Sequence, residues 1–417
     1  MALRQLATAH CCVWVVALAI GCGDSKLEVQ FAKLQHPSGA RASANPRLVE
    51  LLDSIGEQGG LPAQLDSPLG SEWQNVAAGL ADAYSAKTHA ALAPVLQRVL
   101  APESNAAERR QLLHRHAALL DETRRVVDRP DCQWDVGHRW GFFARMRYLD
   151  DARLASRLLL AAALAATAPD EAPAALEHVQ RSLRLADSLS TVGRIEARVL
   201  AASIREETLS AFRRLALEGL WDGGAAEVVY GRLRDSLADW PSDTRMLIGE
   251  RATVVHAYEA IRIGWLDRLV SPEERDRLEK ENQLVELNSA SDERIDADEV
   301  VYLEVLSGLI DAADTPYHAR TDAVSEAFRV ADQAEPLFAQ RLFLTDLEEA
   351  TRIAAADRAR CEVWTIALSA AAGLRTPPFR VCPLNGEPYQ IEIKQGYVRV
   401  SAGAGGPGDL TLPKFTL

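Results

Sequence analysis

The stretch of the chain with the most varied chemistry is residues 131–138, which read Asp-Cys-Gln-Trp-Asp-Val-Gly-His. Carboxylates and imidazoles are common general acids and bases, so Asp131, Asp135 and His138 are the candidates for the catalytic site of a hydrolase. Trp134, with Trp140 just after the stretch, suggests a different interpretation, in which the loop fills a gap in the protein core. We favour the loop interpretation and keep the hydrolase as the alternative.

The common sequence motifs of catalytic, metal-binding and nucleotide-binding sites are absent from the sequence. None of the nine His residues lies in an HExxH pattern, and the sequence has no GxSxG, Walker or glycine-rich dinucleotide motif. The acidic run from Asp292 to Glu299 lacks the Gly and the final Glu of a calcium loop, so we expect helix capping and a solvated face there. We therefore expect no cofactor and no metal site.

Cysteine chemistry provides two further candidates. Beyond the first 22 residues the chain has three cysteines, and no CxxC pair suggests a zinc or redox site. In an oxidising compartment, Cys361 and Cys382 could form a disulfide, closing a loop of about 20 residues for roughly 3 kcal/mol. The alternative is a pair of buried free thiols.

The first 22 residues have the pattern of an export signal. Arg4 supplies a positive charge, and an apolar run from Cys11 to Ile20 follows that is too short to span a bilayer. It leads into Ala-Ile-Gly-Cys at residues 19–22, which resembles the lipobox of bacterial lipoproteins. The resemblance implies that residues 1–21 are a signal peptide and that Cys22 accepts a diacylglyceryl group.

The alternatives for the leader are a secretory signal that is cleaved nearby and an uncleaved anchor, and both also place the body outside the cytoplasm. Residues 22–46 are rich in small and polar side chains, and we interpret them as a tether. Each buried methylene of an acyl chain contributes about 0.8 kcal/mol, so two or three chains hold a protein on a membrane. We expect a lipid-anchored protein of the bacterial cell envelope.

Composition predicts a mainly helical protein that does not bind nucleic acid. Of the 417 residues, 48% are hydrophobic, 25% are charged and only 6% are aromatic, which is typical of a globular chain. Ala and Leu dominate many stretches, and such side chains lose little freedom in a helix. The net charge of -13 argues against a nucleic-acid partner, since a phosphate backbone requires a basic surface.

Residues 47–374 show the apolar periodicity of helices and predict a multi-helix bundle or an irregular array of helical hairpins. Ala174–Leu189 and Ile195–Leu217 are predicted to pair as one such hairpin. Ser271, followed by Pro, Glu and Glu, predicts a helix start with an N-cap, a proline at the first helical position and acids at the positive helix end. We expect a second capping pair in Asp296 and Glu299.

Two long apolar runs, Leu158–Ala166 and Val363–Leu374, are shorter than a membrane span and predict buried helices. Residues 375–417 form a separate C-terminal segment. Within it, Tyr389–Ile393 and Tyr397–Ser401 alternate about a turn and predict a β-hairpin. We expect this hairpin to pack on the last helix, because an isolated hairpin is marginal in water.

The segment from Cys382 to Tyr389, together with residues 397–401 and 403–409, resembles the C-terminal segment of type II secretion pseudopilins. In that family the final loop carries acidic calcium ligands, whereas the matching stretch here has one acid, Asp409, and calcium takes six to eight oxygens. The long apolar N-terminal helix of a pilin is also missing. The resemblance therefore implies a structural cap and not a filament subunit.

Two functions follow from these patterns. The first is a lipid-anchored envelope protein with a non-enzymatic binding or scaffolding role, whose partner is an envelope protein or a cell-wall component. The second is a periplasm-facing hydrolase that uses the region from Asp131 to His138. We favour the first, because the sequence contains no catalytic motif.

Overall fold

The computed structural model describes residues 45–65, 75–134, 136–144 and 146–415. The protein is mainly α-helical with a small antiparallel sheet near its C-terminal end, which confirms the predicted fold class. The predicted signal peptide 1–21, Cys22 and nearly all of the tether lie outside the described residues.

The helices of the first half of the chain are α1 (Pro46–Glu57), α2 (Pro62–Leu65), α3 (Val76–Ala83), α4 (Ala86–Val99), α5 (Ala106–Arg115), α6 (Ala117–Val127), α7 (Arg147–Ala163), α8 (Ala172–Ser190) and α9 (Ile195–Leu217). Those of the second half are α10 (Gly223–Ala238), α11 (Asp243–Arg262), α12 (Leu266–Leu269), α13 (Pro272–Lys280), α14 (Gln283–Asn288), α15 (Asp292–Ala312), α16 (Thr321–Ala334) and α17 (Leu347–Ala371). Short 3-10 turns occupy His138–Phe143, Pro169–Glu171 and Tyr317–Ala319, and a π-helical turn occupies Ala339–Phe343.

The predicted hairpin of α8 and α9 is confirmed, and both helices also pack against α7. The apolar run that begins at Leu158 is buried in α7, and the run that begins at Val363 is buried in α17. Within the described ranges, none of the helices combines the length and the apolar character needed to cross a bilayer.

Among the described residues, buried apolar side chains form three clusters. One joins the C-terminal half of α9 to α10, α17 and the sheet. A second surrounds α11 and extends to α1, α15 and the start of α17. The third contains residues of the helices from α3 through α7 and of the first half of α9. Helix α11 is the centre of the second cluster, because every residue from 251 to 261 is buried.

The predicted helix caps are half right. Ser271 begins α13 with a complete capping box, in which its side chain accepts the Glu274 N–H and the Glu274 carboxylate accepts the Ser271 N–H. The expected capping pair of Asp296 and Glu299 is wrong, because Ser291 caps α15 and both acids lie inside that helix. They are buried there, so the expected solvated face is also wrong at these positions.

The C-terminal strands are β1 (Gln390–Ile393), β2 (Tyr397–Ser401) and β3 (Leu410–Pro413), in the order β1-β2-β3. The predicted hairpin is confirmed as β1 and β2, whereas β3 was not predicted, since a glycine-rich run precedes it. Strands β2 and β3 pack on α17, as expected for the hairpin. Strand β1 is exposed along its length.

Two glycines allow backbone segments to meet at α11. A Cβ atom on Gly249 would lie 1.7 Å from the carbonyl oxygen of Gly193, in the turn before α9. Gly141 has φ of 52°, and a Cβ there would lie 2.3 Å from the His256 side chain. These contacts fix the turn before α9 and the 3-10 turn 138–143 against the same helix.

We predict that Gly249→Ala lowers the free energy of unfolding by roughly 3 kcal/mol, because backbone must move to admit the methyl group. The matched control is Gly231→Ala in α10, where a Cβ meets no atom within 4 Å. The control should gain about 0.5 kcal/mol, since Ala favours helix over Gly. Urea unfolding followed by circular dichroism measures both changes, and equal stability of the two variants would disprove the close contact.

Candidate functional site

Ionisable side chains are concentrated around α11, where it packs against α15 and the turn before α9. We call this group the polar centre. Its members are Arg194, Glu196, Glu250, Arg251, Arg262, Glu299 and Tyr302. Buried ionisable groups of this density are typical of functional sites, although structural networks also have them.

Arg194 connects the first side of the polar centre. This side chain is 1% exposed and donates to the Gly141 carbonyl at 3.4 Å, to the Thr253 hydroxyl and to the Glu196 carboxylate at 3.3 Å. Burial alone would lower the pKa of Arg194, but the carboxylates of Glu196 and Glu250 raise it overall. The guanidinium therefore stays charged and ties α9 to α11.

Glu196 and Glu250 are two carboxyl groups that act on that guanidinium. Burial and the neighbouring Glu196 raise the pKa of Glu250 to about 7, and Arg194 acts in the opposite direction. Like charges disfavour each other, so the neighbouring Glu196 favours the protonated form of Glu250.

Arg262 and three acids form the second side. Arg262 donates to Asp296 at 3.1 and 2.6 Å, to Glu259 at 3.1 Å and to Glu299. Burial raises the pKa of Glu299 to about 7, although Arg262 opposes the shift. One arginine faces three carboxyl groups, so a protonated Glu299 relieves the excess of negative charge.

Asp298 has a structural role beside the polar centre. Its buried carboxylate accepts the N–H groups of Leu337, Phe338 and Ala339 and the hydroxyl of Tyr258. The distances to Phe338 and Ala339 are 2.8 and 2.9 Å. Asp298 thus holds the start of the π-helical turn against α11 and α15.

Arg251 and Tyr302 each have an enclosed polar atom that makes no hydrogen bond. Arg251 is 4% exposed, and its Nε is enclosed without a partner. The Tyr302 hydroxyl is likewise enclosed, without a partner among the described residues. Burial raises the pKa of Tyr302 well above its ordinary value, so the hydroxyl keeps its proton. Burial lowers the pKa of Arg251, and Tyr302 alone among the described ionisable groups acts on it.

The sequence-predicted candidates at 131–138 do not converge on one site. Asp131 is exposed, and its backbone carbonyl accepts the Val76 N–H at 2.9 Å. Trp134 is buried and donates to the Ser188 hydroxyl at 3.2 Å. Asp135 lies outside the described residues. The loop interpretation therefore fits the described part of this stretch, since its aromatic side chain fills the core.

Only the His138 end of that stretch approaches the polar centre. His138 is buried between the turn before α9 and α11, with its Cε1 atom 3.2 Å from the position of a Cβ on Gly249. His256 follows on α11, and burial lowers its pKa to about 4, so this imidazole is neutral. Asp131 and His138 contact different elements, and Asp135, the third predicted residue, lies outside the described residues.

The predicted disulfide is not formed in the structure. Cys361 and Cys382 are both buried free thiols, which was the alternative. They have different neighbours: Cys361 lies near Arg205 and Asp357, and burial raises the pKa of its thiol, whereas Cys382 lies beside the Tyr389 hydroxyl.

The polar centre was not predicted from the sequence, because its members lie far apart in the chain. It offers carboxyl groups with raised pKa values and cationic groups in a water-poor setting. Among the described residues, no three His, Cys, Asp or Glu side chains are grouped so that they could hold a metal ion. The arrangement suits the binding of an anion or the storage of a proton.

Comparison of the chain with protein-family models, with curated proteins and with solved structures finds no match. Function must therefore be argued from the residues themselves.

We predict that the stabilising effect of Glu299→Gln grows as pH rises. The folded-state pKa of Glu299 is about 7, above the ordinary 4.5, so the native protein keeps a proton that the unfolded chain releases between these values. The wild type thus loses stability across this window, by on the order of 3 kcal/mol. Glutamine does not ionise, so it avoids the loss.

Thermal unfolding of both proteins at pH 5 and pH 8 measures this difference. The matched control is Glu304→Gln on the same helix, where the side chain is 37% exposed and pairs with Arg47 at 3.1 Å. The control should differ from the wild type by the same amount at both pH values. A constant difference for Glu299→Gln would show that Glu299 is ionised throughout.

Proposed function

We propose that the protein is a lipid-anchored component of the bacterial cell envelope with a non-enzymatic binding or scaffolding role outside the cytoplasm. The observation that carries the proposal is the leader, with Arg4, the apolar run Cys11–Ile20 and Cys22 directly after Gly21. Acyl chains on Cys22 would hold the helical body on the membrane surface.

The helical body supports a binding role more than a catalytic one. Asp131 and His138, the residues proposed for a hydrolase, contact different elements. Arg251 in the polar centre is instead a buried cation without a hydrogen-bond partner on Nε, which suits a ligand site.

Strand β1 supports an interaction with a second envelope component. It is an edge strand, and its side chains Ile391 and Ile393 are 46% and 59% exposed. Edge strands present backbone groups that can pair with a strand of a partner. An envelope protein that offers an extended segment with apolar side chains fits this edge.

The anchor is tested by expressing the full-length chain in a bacterium with a labelled fatty acid and following the label and detergent-phase partitioning. We expect label on the wild type and none on Cys22→Ala. The matched control is Cys12→Ala, which removes a thiol from the apolar run but leaves Cys22 in place.

The control should be labelled like the wild type. Label that persists on Cys22→Ala, or a wild type without label, would contradict lipidation at this residue. In the second case the leader would be a secretory signal or an uncleaved anchor.

A further inference from the structure

Arg251 is a buried positive charge that the described part of the protein does not neutralise. Its side chain is 4% exposed, and its Nε is enclosed with no hydrogen-bond partner. Among the described residues no carboxylate acts on it, unlike Arg194 and Arg262 in the same centre. An unpaired buried charge is costly, so an arrangement of this kind indicates a missing anion.

The Tyr302 hydroxyl provides a second hydrogen-bond donor for such an anion. It is fully buried on α15, it has no partner among the described residues, and it interacts electrostatically with Arg251 on α11. A phenol that keeps its proton donates to an oxyanion, as does a guanidinium. We propose that Arg251 and Tyr302 form a binding site for a small monocarboxylate with an apolar body.

The charge of the ligand follows from the neighbours of Tyr302. The carboxyl groups of Glu250 and Glu299 also act on this hydroxyl, so a second negative charge in the site would be repelled. One unneutralised arginine matches one negative charge. A carboxylate has this charge at neutral pH, whereas a phosphate monoester carries between one and two.

The apolar body follows from the side chains around the guanidinium. The Nη2 atom of Arg251 lies 2.6 Å, and Cγ2 of Ile55 3.2 Å, from the position of a Cβ on Gly60. Ile55 and Leu61 belong to the buried apolar cluster around α11. A short hydrocarbon chain would therefore pack against these side chains while its carboxylate meets Arg251.

The site lies beneath the turn between α1 and α2. Gly59 in this turn is partly exposed, and Gly60 next to it is buried against Arg251. Gln64 holds the turn, because its side chain donates to the Gly56 carbonyl and accepts the Leu61 N–H, each at 2.9 Å. Gly60 therefore packs directly on the Arg251 guanidinium.

Calorimetric titration of the full-length protein with sodium butyrate tests the proposal, with butan-1-ol and methyl phosphate as probes of the same small size. We expect saturable binding of butyrate, weaker binding of methyl phosphate and no binding of butan-1-ol. Absence of saturable butyrate binding, or tighter binding of methyl phosphate, would overturn the proposed ligand class.

Variants locate the site. Arg251→Met should weaken butyrate binding at least about tenfold, since a hydrogen bond to a charged group is lost, and Tyr302→Phe should weaken it about threefold. Arg234→Met on α10 is the control, because its side chain is 59% exposed. Unchanged affinity in Arg251→Met would overturn the assignment.

Stability without ligand gives an independent readout. Methionine replaces an unneutralised buried charge by an apolar side chain, so Arg251→Met should raise the melting temperature of the ligand-free protein. A lower melting temperature would mean that Arg251 has a structural partner, which would overturn the proposal. Gly60→Ala should weaken butyrate binding, because its methyl group would displace Nη2 of Arg251.

Discussion

The close approach of α11 to the turn before α9 is the constraint on which the polar centre depends. Gly249 has no side chain, so the helix meets the Gly193 carbonyl directly. The next residue of the turn, Arg194, is thereby placed beside Thr253 and Glu196 and within the electrostatic influence of Glu250. A single contact between two backbones thus brings charged groups from different helices into one buried volume, where each must find a partner or carry a desolvation cost.

The protein meets that cost in two ways. The Asp298 carboxylate accepts hydrogen bonds from backbone N–H groups and so positions the chain before α17. Glu299 shares Arg262 with two other acids, and its raised pKa lets it hold a proton instead of a charge. Arg251 has neither solution within the described residues, and it shares its surroundings with the unpartnered Tyr302 hydroxyl. Asp298 and Glu299 therefore stabilise the fold, whereas Arg251 and Tyr302 are suited to binding a ligand.

Local patterns predicted much of the fold, whereas the site depends on contacts between distant residues. The apolar periodicity of α8 and α9 and the cap at Ser271 are encoded within a few residues, so they could be predicted. The role of Glu299 could not, because its partner Arg262 lies 37 positions away and on another helix. Asp296 and Glu299 nevertheless lie three residues apart among the apolar residues of α15. A solvated helix face would not alternate with so many buried side chains, so this spacing could have indicated that the two acids are buried. Strand β3 escaped prediction because the glycine-rich run before it conceals an alternation of only four residues.

A lipid anchor at Cys22 would hold the protein at the membrane. A carboxylate site in the helical body would bind a ligand there. We propose above all that Arg251 is a buried cation that binds an external anion. A high-resolution crystal structure of the protein grown with sodium butyrate tests it most directly. We expect density for a carboxylate that bridges Arg251 and the Tyr302 hydroxyl beneath the Gly60 turn. A guanidinium paired with a carboxylate of the protein itself, with no ligand density beside it, would contradict the account.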